Sequence, residues 1–299
     1  MTKKEQQFFK FIYKRHAIWY RRFILQQPAP WAQDKILQTF KFCNVYRELD
    51  KCTIYLIELL KKITDRQTLL INIIFYRFFN QDNLYERLEI TPFTKISANK
   101  KKEITKGFFL MRQRGECLFN TAYIISPGSS TDPKHISILN HLEIVSLNLD
   151  KIIKKIDSCS TPEQTFQILI DSIPLVGPFL ACEIWTDLTY FNFFKQPWTD
   201  NDFVNIGPGA KWGLEIMHNQ KLKTSEQQQQ LTHLYRIQKD ILPTIHQTMG
   251  KNEPWQHIAY KKAFTNYPFL SITNIEGALC EFRKYTNLSK GKGRRRYYK

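Results

Sequence analysis

Apolar positions recur every three or four residues through most of the chain, the period of helices that bury one face rather than of strands. Residues 4–25 set Phe8, Phe9, Phe11, Ile12, Ile18, Trp19 and Phe23 among Lys10, Lys14, Arg15, Arg21 and Arg22, which predicts a basic amphipathic helix. Pro28 and Pro30 end it. Asp34 opens a second pattern, carried by Ile36, Leu37, Phe40, Val45 and Leu49, that is too long for one helix and predicts a break near 50–53. Thr64 or Asp65 caps the almost wholly apolar RQTLLINIIFYRFF, expected as a central core helix ending at Asn80. A short helix over 82–88, a lysine-rich loop and helix start over 95–107 and a helix over 135–157 follow. Segment 108–125 is ambiguous: Gly115 interrupts it, and its Phe, Tyr and Ile content permits a short strand.

The next stretch couples helix signals to chemistry. TPEQTFQILIDS begins at a Thr161 cap with Pro162 in its first turn, IPLVG makes a tight turn, and a new helix starts at Pro178. The unpaired N–H groups at the start of that helix, around Val176, Gly177 and Phe179, suit a phosphate. The turn resembles the helix-hairpin-helix of DNA glycosylases, usually L-P-G-V-G. Leu175 replaces the first glycine and Gly177 matches the second. Asp200 and Asp202, 23 and 25 residues beyond Gly177, fall where the resemblance implies a catalytic aspartate. An ordinary αα-corner with a capping aspartate fits the same residues. Gly207, Gly209 and Gly213 around Pro208 and Lys211 form a second candidate phosphate-facing turn. It is not a Walker A loop, which needs G-x-x-x-x-G-K-[ST], and no other segment supplies one. A later helix begins at Ser225, and 261–288 is a final helical region with its best helix over 275–285.

The expected architecture is therefore all-α: one multi-helix, glycosylase-like domain over 1–288 and a flexible basic tail over 289–299, SKGKGRRRYYK, whose Arg294, Arg295 and Arg296 contact phosphate. Charge sharpens this picture. Lys and Arg number 44 against 27 Asp and Glu, a net +17 that favours polyanions, with nucleic acid first and a ribosome or an anionic membrane surface as alternatives. Six cysteines without a C-x-x-C pair, and seven histidines without finger spacing, argue against a metal site, and Cys43 and Cys182 read as buried small hydrophobes. No apolar run suits a membrane span, so an intracellular protein is expected, with organelle import open.

Polar residues inside apolar helices are the site candidates, because burying one unpaired costs about 1–3 kcal/mol. Asn44, Arg47 and Asp50 share a broad predicted face with Asp34 upstream; Arg77 and Asn80 are i, i+3; Glu183 and Asp187 are i, i+4. These groups are expected to converge on one pocket in which Arg47 and Arg77 grip a phosphate. Asp187, Asp200 or Asp202 would orient an incoming amine or stabilise developing positive charge, while a structural Arg–Asp network explains the same residues. Trp31, Tyr46, Trp185 and Trp198 are either stacking residues for an extruded base or core aromatics.

The strings W-x-x-D-x-I-L at Trp31–Leu37 and F-x-N-V-Y-R-E-x-D at Phe42–Asp50, with IIFYRFFN, AYII and PLVGPFLACEIWTDLTY, resemble the helical domain named for 5-hydroxymethyl-deoxyuridine DNA kinase, over about residues 8–215. That family also includes proteins described as α-glutamyl/putrescinyl-thymine pyrophosphorylases. The resemblance implies DNA as partner and work on a flipped 5-hydroxymethyluracil, with a group transferred to or from its 5-methylene position. A nucleotide or amine would be co-substrate, no cofactor is evident, and without a P-loop any kinase step would fall to a separate nucleotide kinase. A non-catalytic nucleic-acid-binding module, a basic ribonucleoprotein subunit and a base-excising glycosylase are the other readings.

Overall fold

The computed structural model describes residues 2–120, 131–249 and 269–298. Among them regular structure is helical, the only β feature being an isolated bridge between Phe40 and Tyr297. The helices are α1 (Lys3–Phe23), α2 (Lys35–Thr39), a 3-10 turn (Arg47–Leu49), α3 (Lys51–Leu60), α4 (Arg66–Phe79), α5 (Leu84–Leu88), α6 (Ala98–Gln113), α7 (Lys134–Ser146), α8 (Leu149–Asp157), α9 (Pro162–Ser172), α10 (Pro178–Tyr190), α11 (Pro208–His218), α12 (Thr224–Met249) and α13 (Ile272–Ser289). They gather into two compact units, one of residues 1–50 and 206–299, the other of residues 51–205. No described helix is long and apolar enough to cross a membrane.

In the first unit, α1 turns its Phe8, Phe9 and Phe11 stripe onto α13, where Phe8 and Phe11 meet Phe282 with ring centroids 5.4 and 5.7 Å apart. Arg15 lies on the same stripe, three residues from Ile12 and from Ile18, and is buried. Its guanidinium donates to the carbonyls of Phe42 (2.6 Å) and Cys43 (3.0 Å) and to Oδ1 of Asn44 (3.0 Å). Those carbonyls serve Arg15 only because the chain is extended there. This is why the pattern starting at Asp34 stops at Thr39 instead of running on to 50 as one helix. The C-terminal residues, expected as a free tail, are laid down in the same unit. Lys41 N donates to Arg296 O at 2.8 Å, Tyr298 donates to Leu37 O at 3.2 Å, and Arg22 lies over the rings of Trp31 (4.4 Å) and Tyr298 (5.1 Å). The two tyrosines provide the apolar and ladder contacts that a purely cationic tail lacks; Arg294 and Arg295 remain exposed. Cys43 is exposed too, because its extended segment faces solvent, and Cys182 is half-buried.

His16, next to Arg15, is fully enclosed, stacked on Trp19 at 5.5 Å and edge-on to Tyr46 at 4.8 Å. Burial, with the Arg15 charge second, lowers its pKa well below 6.5. Between the two values only the unfolded chain takes up the proton. Stability is therefore complete above about pH 6.5 and falls as pH drops below it, by about 1.4 kcal/mol per pH unit until the folded-state pKa is reached. His16→Phe is expected to flatten part of this acid slope, read as the urea midpoint at about pH 7.5 and about pH 5.5. Only part is lost, because His135 is depressed in the same sense by burial and by Arg112.

In the second unit, α4 is the central rod, buried from Thr68 to Phe79 and started by the Asp65 carboxylate on Thr68 N (2.8 Å). Its one buried amide, Asn72, is fully enclosed and bonded to Thr68 O, Phe93 O, Phe93 N and the Tyr85 hydroxyl. The run 135–157 divides into α7 and α8, since Ser146 turns back on Glu143 O and also receives Ile96 N. The start of the ambiguous segment 108–125 is helical to Gln113, and its end, from 121, falls outside the described residues.

Candidate functional site

α9 and α10 are joined by the short turn over residues 173–177. Thr161 and Gln164 make a reciprocal capping box with Pro162 at the first helical position, and α9 runs out at Ile173. The turn closes with Val176 N on Ile173 O at 3.2 Å. Leu175, at the position of the missing glycine, is held left-handed at φ +66°, a conformation that disfavours a branched side chain by about 1–3 kcal/mol. Its side chain packs on the core. Gly177 is extended at φ −92°, and a Cβ there would meet no atom within 4 Å. Val176 is buried, whereas Phe179 projects into solvent.

Behind the hairpin, Trp185 Nε1 donates to Thr165 Oγ1 at 2.8 Å and ties α10 to α9, so this tryptophan is core rather than a stacking residue. The loop after α10 folds back on both helices: Phe203 lies 5.0 Å from Phe166 and 5.3 Å from Trp185, and Trp198 meets Phe194 at 5.5 Å. Asp200 is buried in this loop. Asp202 is exposed and closes a turn, accepting from Thr199 N (2.7 Å) and Oγ1 (2.8 Å).

Arg77, Asn80, Glu183 and Asp187 do come together. Arg77 grips Asp187 through Nε and through Nη2 at 2.7 Å; Nη2 also reaches Thr53 Oγ1 at 3.2 Å, and Nη1 reaches Asn80 Oδ1 at 2.9 Å and Glu183 Oε2 at 3.6 Å. Asn80 meets Arg77 because it ends α4 in a left-handed cap. Arg77 and Asp187 are sealed from solvent, and the cluster emerges only at Glu183, whose side chain is 21% exposed. With its donors taken up inside the fold, Arg77 is a brace between α4 and α10 rather than the expected phosphate grip. Thr53 was missed because nothing in its local sequence marks it.

The other candidates lie in the first unit. Asn44 and Asp50 meet, Asn44 N donating to Asp50 Oδ1 at 3.2 Å and Asn44 Nδ2 to Leu49 O at 2.7 Å, but across an extended loop and not along a helix face. Arg47 N bonds Asn274 Oδ1 at 2.9 Å. Tyr46 is buried, and burial followed by the nearby Glu48 charge pushes its hydroxyl pKa up. Asp34 caps α2 and takes the Tyr285 hydroxyl at 2.7 Å and Lys14 at 3.3 Å. Burial opposes its ionisation, but Tyr285, Leu37 N–H and Lys14 outweigh it and hold the carboxyl below the usual range. The turn before α11 is not open to phosphate, since Gly207 N is taken by Glu276 Oε1 at 3.0 Å; Lys211 is half-exposed in the first turn. Arg15, Asn274 and Tyr285 were not singled out by sequence. Arg15 alone left a signal, as a cation on an apolar stripe.

Comparison with known proteins adds what geometry does not. The family model described as "5-hmdU DNA kinase, helical domain" matches residues 2–294. The chain belongs to this family. A relative, the 5-hmdU DNA kinase of Bacillus phage SP10, is 26% identical over 292 residues, covering 92% of this chain and 43% of the phage protein. The chain thus spans less than half of that relative's length. No solved structure matches. The strings at 31–37 and 42–50 lie inside the matched residues, where they build the Asp34 cap and the Asn44–Asp50 loop of the first unit.

Proposed function

We propose that this chain is a DNA-holding module of 5-hydroxymethyluracil modification, which offers a modified pyrimidine in DNA to group-transfer chemistry at its 5-methylene oxygen. The family match over residues 2–294 carries the reading. The excess of 44 cations over 27 acids supplies general affinity for DNA, and the α9–α10 hairpin supplies a place where backbone amides meet phosphate. An extruded base costs a few kcal/mol of lost stacking and pairing, which such contacts offset. Asp187 is committed to Arg77 and acts as a positioning residue, Asp202 to its turn. Asp200, in the loop that folds over the hairpin, is the carboxylate we assign to the base. No Walker A loop is present, so the nucleotide donor is bound outside this chain's residues.

Gly177 provides the test, because a side chain there meets nothing in the protein. Gly177→Val is expected to leave the melting temperature within about 2 °C while weakening binding to a 5-hydroxymethyluracil duplex about tenfold, the loss of one close backbone–phosphate contact. Wild-type binding should fall steeply with salt. Incubated alone with that duplex and labelled ATP, the chain is expected to transfer no phosphate. Transfer by the chain alone would refute the division of labour, and unchanged affinity in Gly177→Val would refute the hairpin as the DNA contact.

A further inference from the structure

A second surface, wholly within the first unit, has the makings of a nucleic-acid site that the hairpin reading does not use. Between α11 and α13 runs an open groove of about 620 Å³, lined among others by Trp212, Glu215, Gln220, Lys221, Arg283 and Asn287. Trp212 is 46% exposed, unlike the enclosed Trp185. The Arg283 guanidinium lies over its ring at 4.1 Å. Arg283 and Asn287 are one turn apart on α13, as Trp212 and Glu215 are on α11, so each helix gives one face to the groove. The groove runs on into the basic tail: Lys292 N bonds Asn287 O at 2.8 Å, and Gly293 lies against the Asn287 side chain. Lys290, Lys292, Arg294 and Arg295 beyond it are exposed.

An exposed indole with a cation already stacked on it, amide groups beside it and a line of solvent-exposed cations leading away is the combination that holds single-stranded nucleic acid. A base stacks on the ring, amides meet base edges and cations follow the phosphates. A duplex keeps its bases stacked on one another and has no use for the indole face. Among the described residues lining the groove, Glu215 is the one acid, against Lys221 and Arg283, so the balance of these charges is positive. From this arrangement we infer that the α11–α13 groove binds single-stranded DNA, with one base on Trp212 and the strand running toward Lys292. The site is separate from the hairpin and does not depend on that assignment.

The test uses the full chain and a labelled single-stranded oligothymidylate of about twelve nucleotides, with an abasic strand of equal length as control. Trp212→Ala should weaken binding of the thymidylate by about five- to a hundredfold and leave the abasic strand nearly unaffected; Trp212→Phe should restore most of the affinity. Melting followed by circular dichroism confirms that each variant is folded, as the exposure of Trp212 leads one to expect. Equal losses on both strands, or none, would overturn the inference: the groove would be a general polyanion surface, or no site at all.

Discussion

Replacing Arg77 with alanine is expected to lower the unfolding free energy of the second unit by about 3–5 kcal/mol, because it removes the cation that balances the fully buried Asp187 carboxylate. Asp187 has no solvent exposure and receives Arg77 through both Nε and Nη2. Asp187→Asn should cost less, since the amide oxygen still accepts one of the two bonds. The double variant Arg77→Met with Asp187→Leu should recover most of the loss, as apolar groups of similar size replace a desolvated pair. Urea unfolding followed by far-ultraviolet dichroism measures all three. The series also separates a brace from a phosphate grip. If Arg77 instead reached DNA, Arg77→Ala would reduce the salt dependence of binding by about one counterion while changing the urea midpoint little.

That Arg–Asp pair shows what could be read from the chain and what could not. Arg77 and Asn80 stand three apart at the end of an apolar helix, and Glu183 and Asp187 four apart in another; their periodicity alone put each pair on a buried face. Which pair meets which is a long-range fact, and spacing carries no information about it. The Asp34–Asp50 stretch failed for the opposite reason. Its apolar spacing was helical, but Arg15, nineteen residues before Asp34 in the chain, claims the carbonyls of Phe42 and Cys43 and requires an extended backbone. A tertiary hydrogen bond to a buried cation outweighs the few tenths of a kcal/mol per residue at stake in helix propensity.

Local signals that depend on a single turn fared better. The Thr161 cap, the cap at Asp65, one of the two positions expected, and the stop at Asn80 all stand where the sequence put them, because each is settled by residues within four positions of one another. Composition says less about the tail: six cations and two glycines imply a solvated strand, and the contacts that set Tyr297 and Tyr298 beside Phe40 and Trp31 are long-range. The left-handed Leu175 has the same moral in reverse. It stands where the resemblance drawn from sequence expects a glycine, and the backbone adopts the left-handed form a glycine would favour.

The glycines of the first unit give the second large effect. Gly209 and Gly213, one turn apart on α11, face α13, and read from sequence they looked like a phosphate turn. A Cβ at Gly213 would sit 2.4 Å from the Leu279 carbonyl oxygen, so backbone would have to move; at Gly209 the obstacle, 2.3 Å away, is the Cys280 sulfur, a side-chain atom. Gly213→Ala is therefore expected to destabilise by about 1–3 kcal/mol despite alanine's better helix propensity, and Gly213→Val by more. Gly209→Ala should cost less, since the thiol can rotate. Gly277, inside α13 with nothing within 4 Å of its absent Cβ, sets the opposite sign: Gly277→Ala should stabilise by about 0.5–1 kcal/mol. Midpoints of thermal or urea unfolding for the three alanine variants decide it, and the order is the point. A phosphate-binding role for these glycines predicts no such order, whereas close packing of α11 on α13 requires it. The same contact sets the spacing between Trp212 and Arg283, so a chain that tolerates Gly213→Ala only by spreading the two helices should lose single-strand affinity together with stability.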